Sequence, residues 1–254
     1  MNRIVTAIFS AATALMLLFS APAAKADGFI NFGPAKQFVE LDVHLLAGGS
    51  GVTQNYQGSF AEIRELNESM GSSFGVGAGA VFGLSDFLGL GTQLNFTFNH
   101  NKMTIAVSSD GVTSVSNVFL SNRYLYANIP VFLSFRFNVL GSIRWNVDAG
   151  MYYSYGLTGS QKQSIFNSTV NDLGQLISRV VETKPDYFGS TQTFINSFYR
   201  SDLGLHLATG LQFGRHITLG CQFQVGFKNV AYTSGVINPN VHNISLLASV
   251  GYKF

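Results

Sequence analysis

The stretch Leu125-Tyr126-Ala127-Asn128-Ile129-Pro130-Val131-Phe132-Leu133-Ser134-Phe135-Arg136-Phe137 is apolar at every odd position, while Tyr126, Asn128, Pro130, Phe132, Ser134 and Arg136 fill the even ones. A strand turns successive side chains to opposite faces, so this period of two builds one continuous apolar face and one mixed, polar face. Seven other stretches repeat the rule. Val39, Leu41, Val43, Leu45 and Ala47 alternate with Glu40, Asp42 and His44. Phe74, Val76, Ala78, Ala80 and Phe82 alternate with Gly75, Gly77, Gly79 and Val81, and Leu88, Leu90, Thr92, Leu94, Phe96 and Phe98 with Gly89, Gly91, Gln93, Asn95, Thr97 and Asn99. The runs from Ile143 to Tyr153, Leu203 to Phe213, Ile217 to Phe227 and Ile244 to Phe254 behave alike. Arg144, Asn146 and Asp148, then Asp202, His206 and Gln212, then Gln222, Gln224 and Lys228, and finally Ser245, Ser249 and Lys253 occupy their second faces.

Eight strands of about ten residues have the length a tilted strand needs to cross the hydrocarbon layer of a bilayer. The links between them alternate between short (83–87, 138–142, 214–216) and long (48–71, 100–121, 156–200, 229–241), which puts every long link on one side. Short periplasmic turns opposite long extracellular loops are the asymmetry of outer-membrane barrels, and an even strand number returns both termini to the periplasm. A sheet edge facing lipid would leave backbone groups unpaired, at several kcal/mol each, so the sheet must close on itself. The sequence therefore predicts an all-β fold, an eight-stranded antiparallel up-and-down transmembrane β-barrel. Phe82, Phe137, Trp145, Phe213, Tyr252 and Phe254 fall at the periplasmic ends of the apolar faces, and Tyr153, Phe98 and Phe227 toward the other end, as interfacial girdles require.

The remaining composition agrees with export. Asn2 and Arg3 precede an apolar run from Ile4 to Phe19 and then Ala24-Lys25-Ala26, the layout of a secretory signal peptide cut before Asp27. Residues 1–26 are expected to be removed, leaving 27–254 as one barrel domain. The leader takes Arg3 and Lys25 with it, so 15 basic residues become 13 against 13 acidic ones, and the neutral mature chain offers no field for nucleic acid. The one cysteine, Cys221, excludes an internal disulfide framework. After residue 26 no segment is long and apolar enough to cross as a helix.

The closing Gly251-Tyr252-Lys253-Phe254, the glycine-rich run from Phe74 to Gly83 and the Ile129-Pro130 pair resemble the eight-stranded outer-membrane barrels of the OmpA and OmpX type, particularly the porin-family barrels common in Bacteroidetes. The resemblance covers the whole mature chain. It implies residence in the bacterial outer membrane, contact with outer-membrane lipid, recognition of Phe254 by the barrel assembly machinery as an assembly signal, and no particular reaction.

An interior only wide enough for side chains makes the inward charges the candidate site. Glu40, Asp42 and Asp148 with Arg136, Arg144 and Lys253 are expected to form a structural ion-pair network in the periplasmic half of the lumen. His44 and His206 read as lumen hydrogen-bonders, and the five histidines, on separate elements without metal-ligand spacing, imply no zinc site and no cofactor. Gly75-Val76-Gly77-Ala78-Gly79-Ala80 fits G-x-G-x-x-A but keeps strand period where a dinucleotide fingerprint opens a helix. No motif selects a Ser-His-acid triple, so no enzyme activity is predicted. In the links, Ser59 and Glu62 read as a capping box opening a helix with Phe60, Ile63 and Leu66 on one side and Gly71 as its stop. Val170, Leu173, Leu176, Ile177, Val180 and Val181 read as a second helix ahead of Pro185. The expected function is a noncatalytic envelope or surface protein, contacting an extracellular ligand or host surface through loops 156–200 and 48–71. The alternatives are a narrow porin-like channel and, further off, an envelope-lipid-modifying enzyme.

Overall fold

A computed structural model of the chain describes residues 28–55, 63–108, 114–171, 173–189, 198–232 and 240–254; the expected leader lies outside them. Nine strands form: β1 (Val39–Asn55), β2 (Ile63–Gly83), β3 (Leu88–Ser108), β4 (Ser114–Leu140), β5 (Ile143–Val170), β6 (Leu176–Thr183), β7 (Ser201–Phe213), β8 (Ile217–Gly226) and β9 (Asn240–Lys253). All pairings are antiparallel, in the ring β1-β2-β3-β4-β5-β7-β8-β9 that closes from β9 back to β1, while β6 hangs on the outer end of β5. This is the eight-stranded closed barrel the alternation predicts. Among the described residues there is no helix.

The register fixes the barrel's dimensions. Following the partners of Asp42 once round the ring leads back to β1 at Val52, ten residues further along. With eight strands, that stagger tilts each by roughly 40° and gives a backbone cylinder of radius roughly 8 Å, a space that side chains fill. Each residue then climbs about 2.5 Å along the axis, so roughly ten cross the apolar band. The lower halves of the strands obey the expected sidedness: Leu41, Leu45, Leu94, Val131, Leu207 and Val250 are exposed on the outside, while Glu40, Asn95, Arg136, His206, Gln222 and Lys253 are buried within. Ile244, expected outside, is buried.

Above the membrane the pattern inverts. On β3 the apolar positions are even up to Phe98 and odd from Met103 on. Met103 and Ile105 are buried inside the upper barrel together with Val118, Leu120, Tyr124, Tyr126 and Val241, whereas Lys102 and Arg123 are exposed. The reason is the solvent outside each level. Lipid takes apolar side chains on the outer face, and water takes polar ones, so the apolar set moves inward where the lipid ends. Three of the four outer links, 48–71, 100–121 and 156–200, are mostly strand: β1 reaches Asn55, β3 Ser108 and β5 Val170.

β7 and β8 stop lower than the opposite wall, and single bridges close the gap above them. The Tyr187 N–H donates to Gly159 O at 3.2 Å, Phe198 N–H to Tyr187 O at 3.2 Å, Tyr199 N–H to Val230 O at 2.7 Å and Val230 N–H to Val241 O at 2.9 Å. The chain thus continues the ring from β5 back to β9, and these bonds pair backbone groups along that edge.

Both expected outer helices need correction. Ser59, Phe60 and Glu62 lie outside the described residues, but Ile63 and Leu66 belong to β2, and Gly71 sits mid-strand pressed against the β3 backbone at His100 and Asn101. The run from Val170 to Val181 is a β-hairpin. Asn171 accepts the backbone N–H groups of Leu173 and Gln175 on its side-chain oxygen, and Gly174 takes φ +74°, the left-handed conformation glycine adopts without cost. β-Branched Val170, Ile177, Val180 and Val181 then extend as strand.

Candidate functional site

The interior is stacked in three levels. At the periplasmic level the structure places Glu40 on β1, 4% exposed, between two cations: Arg136 Nη1 from β4 donates to Oε1 at 2.9 Å and Lys253 Nζ from β9 donates to Oε2. Lys253 Nζ also donates to Gln212 Oε1 at 3.0 Å. Asp42 binds the ring of His44 at 2.6 Å, whose other nitrogen meets Asn95 Oδ1 at 2.8 Å. Gly77 on the neighbouring strand leaves the space that this ring and amide occupy. Asp148 faces the same space, with Oδ1 unbonded. Glu40, Asp42, His44, Arg136, Asp148 and Lys253 line a cavity of about 100 Å³ together with Gln93, Ser134 and Gln222.

Of the six expected network members the structure brings Glu40, Arg136 and Lys253 into direct contact and keeps Asp42 and Asp148 on the same cavity. Arg144 lies apart. It reaches down to Asp86 in the β2–β3 turn and donates through Nε to Asn138 Oδ1 at 3.2 Å. Asp86 also accepts from Asn31 Nδ2 at 2.9 Å and lies 3.9 Å from Lys36 Nζ, so the segment from Gly28 to Phe38 is strapped across the periplasmic rim. Burial pushes the Asp86 carboxyl up, but Arg144, Lys36 and Asn31 more than offset it and hold it below the ordinary carboxylate range. Rings complete the strap: Phe29 stacks on Phe137 at 5.0 Å, Phe137 meets Trp145 at 5.1 Å, and Phe38 meets Phe82 at 6.3 Å. Phe254 follows β9 with its ring exposed on Tyr252, and its N–H donates to Leu41 O at 2.9 Å.

The middle level is an amide and hydroxyl lattice. Asn128 Nδ2 donates to Gln224 Oε1 at 2.8 Å, and Gln224 Nε2 meets His206 Nδ1 at 3.0 Å. Asp202, 1% exposed, accepts from Tyr152 OH at 2.8 Å, Asn243 Nδ2 at 2.9 Å and the Leu203 N–H at 2.8 Å.

The outer level is aromatic. Tyr187, 1% exposed, lies between Tyr124, whose ring centroid is 4.4 Å away, and Phe198 at 4.5 Å; Phe188 packs at their side with the Arg200 guanidinium over its ring. Beside this plug runs a chain of buried amides: Gln163 donates to Gln161 at 2.7 Å, Gln161 to Asn122 at 2.8 Å, Asn122 to Asn101 at 2.8 Å and Asn101 to the Tyr124 hydroxyl at 3.2 Å. Ending the strands near residues 99 and 156 hides both features from a sequence reading; the shift of apolar parity at His100 is the signal that reveals them. Among the described residues no group of three or more His, Cys, Asp or Glu side chains is gathered as a metal site would need.

The architecture defines a class, a closed antiparallel barrel with an apolar belt and a filled polar lumen, and the sequence agrees. Over residues 37–232 it matches the outer membrane protein beta-barrel domain, and the chain belongs to that family. It is an integral protein of the bacterial outer membrane. No functionally curated protein matches it. Among solved structures, the attachment invasion locus protein Ail of Yersinia pestis is 13% identical, with 86% of this chain and 100% of that one covered and a TM-score of 0.37. OprG from Pseudomonas aeruginosa is 10% identical, with 88% and 99% covered and a TM-score of 0.38. Neisserial surface protein A is 11% identical, with 86% and 98% covered and a TM-score of 0.33. Likenesses this distant transfer no function.

Proposed function

We propose that this protein is a noncatalytic surface barrel whose working part is the wall above the lipid, with the lumen serving as a structural plug. The observation that carries the reading is the contrast between a lumen filled at three levels and a β4–β5–β6 wall that rises far beyond the membrane. From Tyr155 to Val170, a rise of about 2.5 Å per residue carries β5 roughly 35–40 Å past the apolar band. The hairpin at its end exposes Val170, Leu173, Leu176, Ile177 and Val180, with Leu173 81% exposed, more apolar surface than a solvated strand pair requires. Its role is contact with an extracellular ligand or host surface. Residues 1–26 act as a cleaved leader, and Phe254, exposed beyond the last strand, serves the assembly machinery as a terminal signal.

Deleting 164–183 is the test. Heat-modifiable migration and membrane insertion should persist, because the ring pairings below Gln163 are untouched, while binding of cells to immobilised host matrix is lost; unchanged binding sinks the hairpin's role. The second reading, a narrow channel, has one observation in its favour: two polar cavities lie along the lumen, one at the ion cluster and one at Asp202. Planar-bilayer recordings separate the two readings, because the surface reading expects no stable open state and the channel reading requires one.

A further inference from the structure

The Asp202 carboxylate is buried among neutral donors with no cation in contact; His242 acts on it only through space. Its three hydrogen bonds come from a tyrosine hydroxyl, an amide and a backbone N–H. Among the described residues no lysine, arginine or histidine nitrogen lies within 4.0 Å of it. Two cations of the outer rim are engaged elsewhere: Arg200 donates to the carbonyls of Gly156 and Leu157, and Lys228 to the Ser201 hydroxyl. Neutral donors stabilise an anion but leave its charge in place, and an uncompensated charge in a low-dielectric interior is costly. Glu40, on the same lumen, has two cations in direct contact; Asp202 has none in contact.

Beside Asp202 lies a cavity of about 40 Å³. Ser50, Ser73, Asn99, Tyr126, Ser154 and Asn243 line it with hydroxyl and amide groups, and no second carboxylate borders it. At about 10–15 Å³ for each water-sized body, it holds roughly three. We propose that this cavity is a binding site for a monovalent alkali cation, Na⁺ or K⁺, with the Asp202 carboxylate supplying the charge and the surrounding neutral oxygens the rest of the coordination. One carboxylate among neutral oxygens suits a monovalent ion; Ca²⁺ and Mg²⁺ sites gather more oxygen charge or retain a shell of waters for which this cavity has no room.

The test uses the full mature chain refolded from urea into detergent micelles in NaCl, KCl or choline chloride at equal ionic strength and pH, so that the ion is present while the lumen closes. Thermal unfolding is read by the gel-mobility shift. A folded-state site raises the midpoint in NaCl or KCl over choline by on the order of 5–10 °C when the free cation stands about 100-fold above its dissociation constant. Asp202→Asn removes the difference. ²³Na relaxation of the folded wild-type barrel, relative to the urea-unfolded chain, should show excess broadening that KCl relieves and choline does not; this measurement decides the matter if the variant does not fold. Equal midpoints in the three salts, a difference that Asp202→Asn retains, or no excess ²³Na broadening would each overturn the site and leave the cavity to water.

Discussion

Glu40→Gln keeps the side chain's size and removes its charge, leaving two buried cations without their shared partner. Arg136 from β4, across the lumen, and Lys253 from the neighbouring β9 converge on Glu40, and all three are buried. Breaking a buried ion pair by removing one partner costs about 3–5 kcal/mol, because the surviving charge stays buried. The adjoining polar cavity of about 100 Å³ gives the surviving charges some local relief, so the lower end applies, about 3 kcal/mol. For a chain of this size, roughly 2–4 °C per kcal/mol makes that a fall of about 6–12 °C in the unfolding midpoint. The control is Lys162→Gln, which breaks the Lys162–Glu182 contact at 3.4 Å between side chains 58% and 59% exposed. Such a surface pair is worth about 0–1 kcal/mol. Gel-mobility melts of wild type, Glu40→Gln and Lys162→Gln, refolded side by side, give the answer. If Glu40→Gln melts within the range of Lys162→Gln, the periplasmic cluster is not a buried ionic plug and the reasoning fails.

Three other outcomes are expected. Tyr187→Ala empties the space between Tyr124 and Phe198 and should cost about 3–5 kcal/mol, as large aromatic truncations do; protease cleavage between Pro185 and Phe198 should rise with it, and an unchanged melt would show that the outer core does not depend on this ring. Asp86 stabilises the periplasmic strap through its ionised form. Because its folded-state carboxyl is held below the ordinary value, that stability is fully present above the ordinary carboxylate range and is lost as pH falls through the folded value. Acrylamide quenching of Trp145, the sole tryptophan, should therefore increase on acidification below that range, and Asp86→Asn should flatten the dependence. Gly174→Ala forces a side chain into the left-handed region and should weaken the β5–β6 hairpin by about 1–2 kcal/mol, seen as faster amide exchange in Ile177 to Val181 with no change in the strands below Tyr155.

The lower barrel was legible because lipid imposes a rule that each strand states locally. Val131 and Arg136 declare their faces by parity alone, so strand number, sidedness and the inward positions of Glu40 and Lys253 needed no tertiary information. The outer half obscured the same rule by reversing it. Read one strand at a time, Met103 and Ile105 are apolar residues in a polar link; only their position above the lipid makes them core. The hairpin from Val170 to Val181 misleads for a different reason, since its apolar spacing satisfies helix and strand alike, and the turn at Asn171 to Gly174 decides between them.

The sequence by itself determined that eight strands cross a bilayer and which side of each meets lipid, because those depend on the period of two and on solvent, both local. Partner choice among the inward charges belonged to the tertiary structure. Whether Arg144 meets Asp86 rather than the lumen cluster, whether Glu40 gains two cations in contact while Asp202 gains none, and how Tyr187 comes to lie on Tyr124 depend on the ten-residue stagger of the closed ring. That offset is a property of closure, set only when the first and last strands pair, and no single strand encodes it.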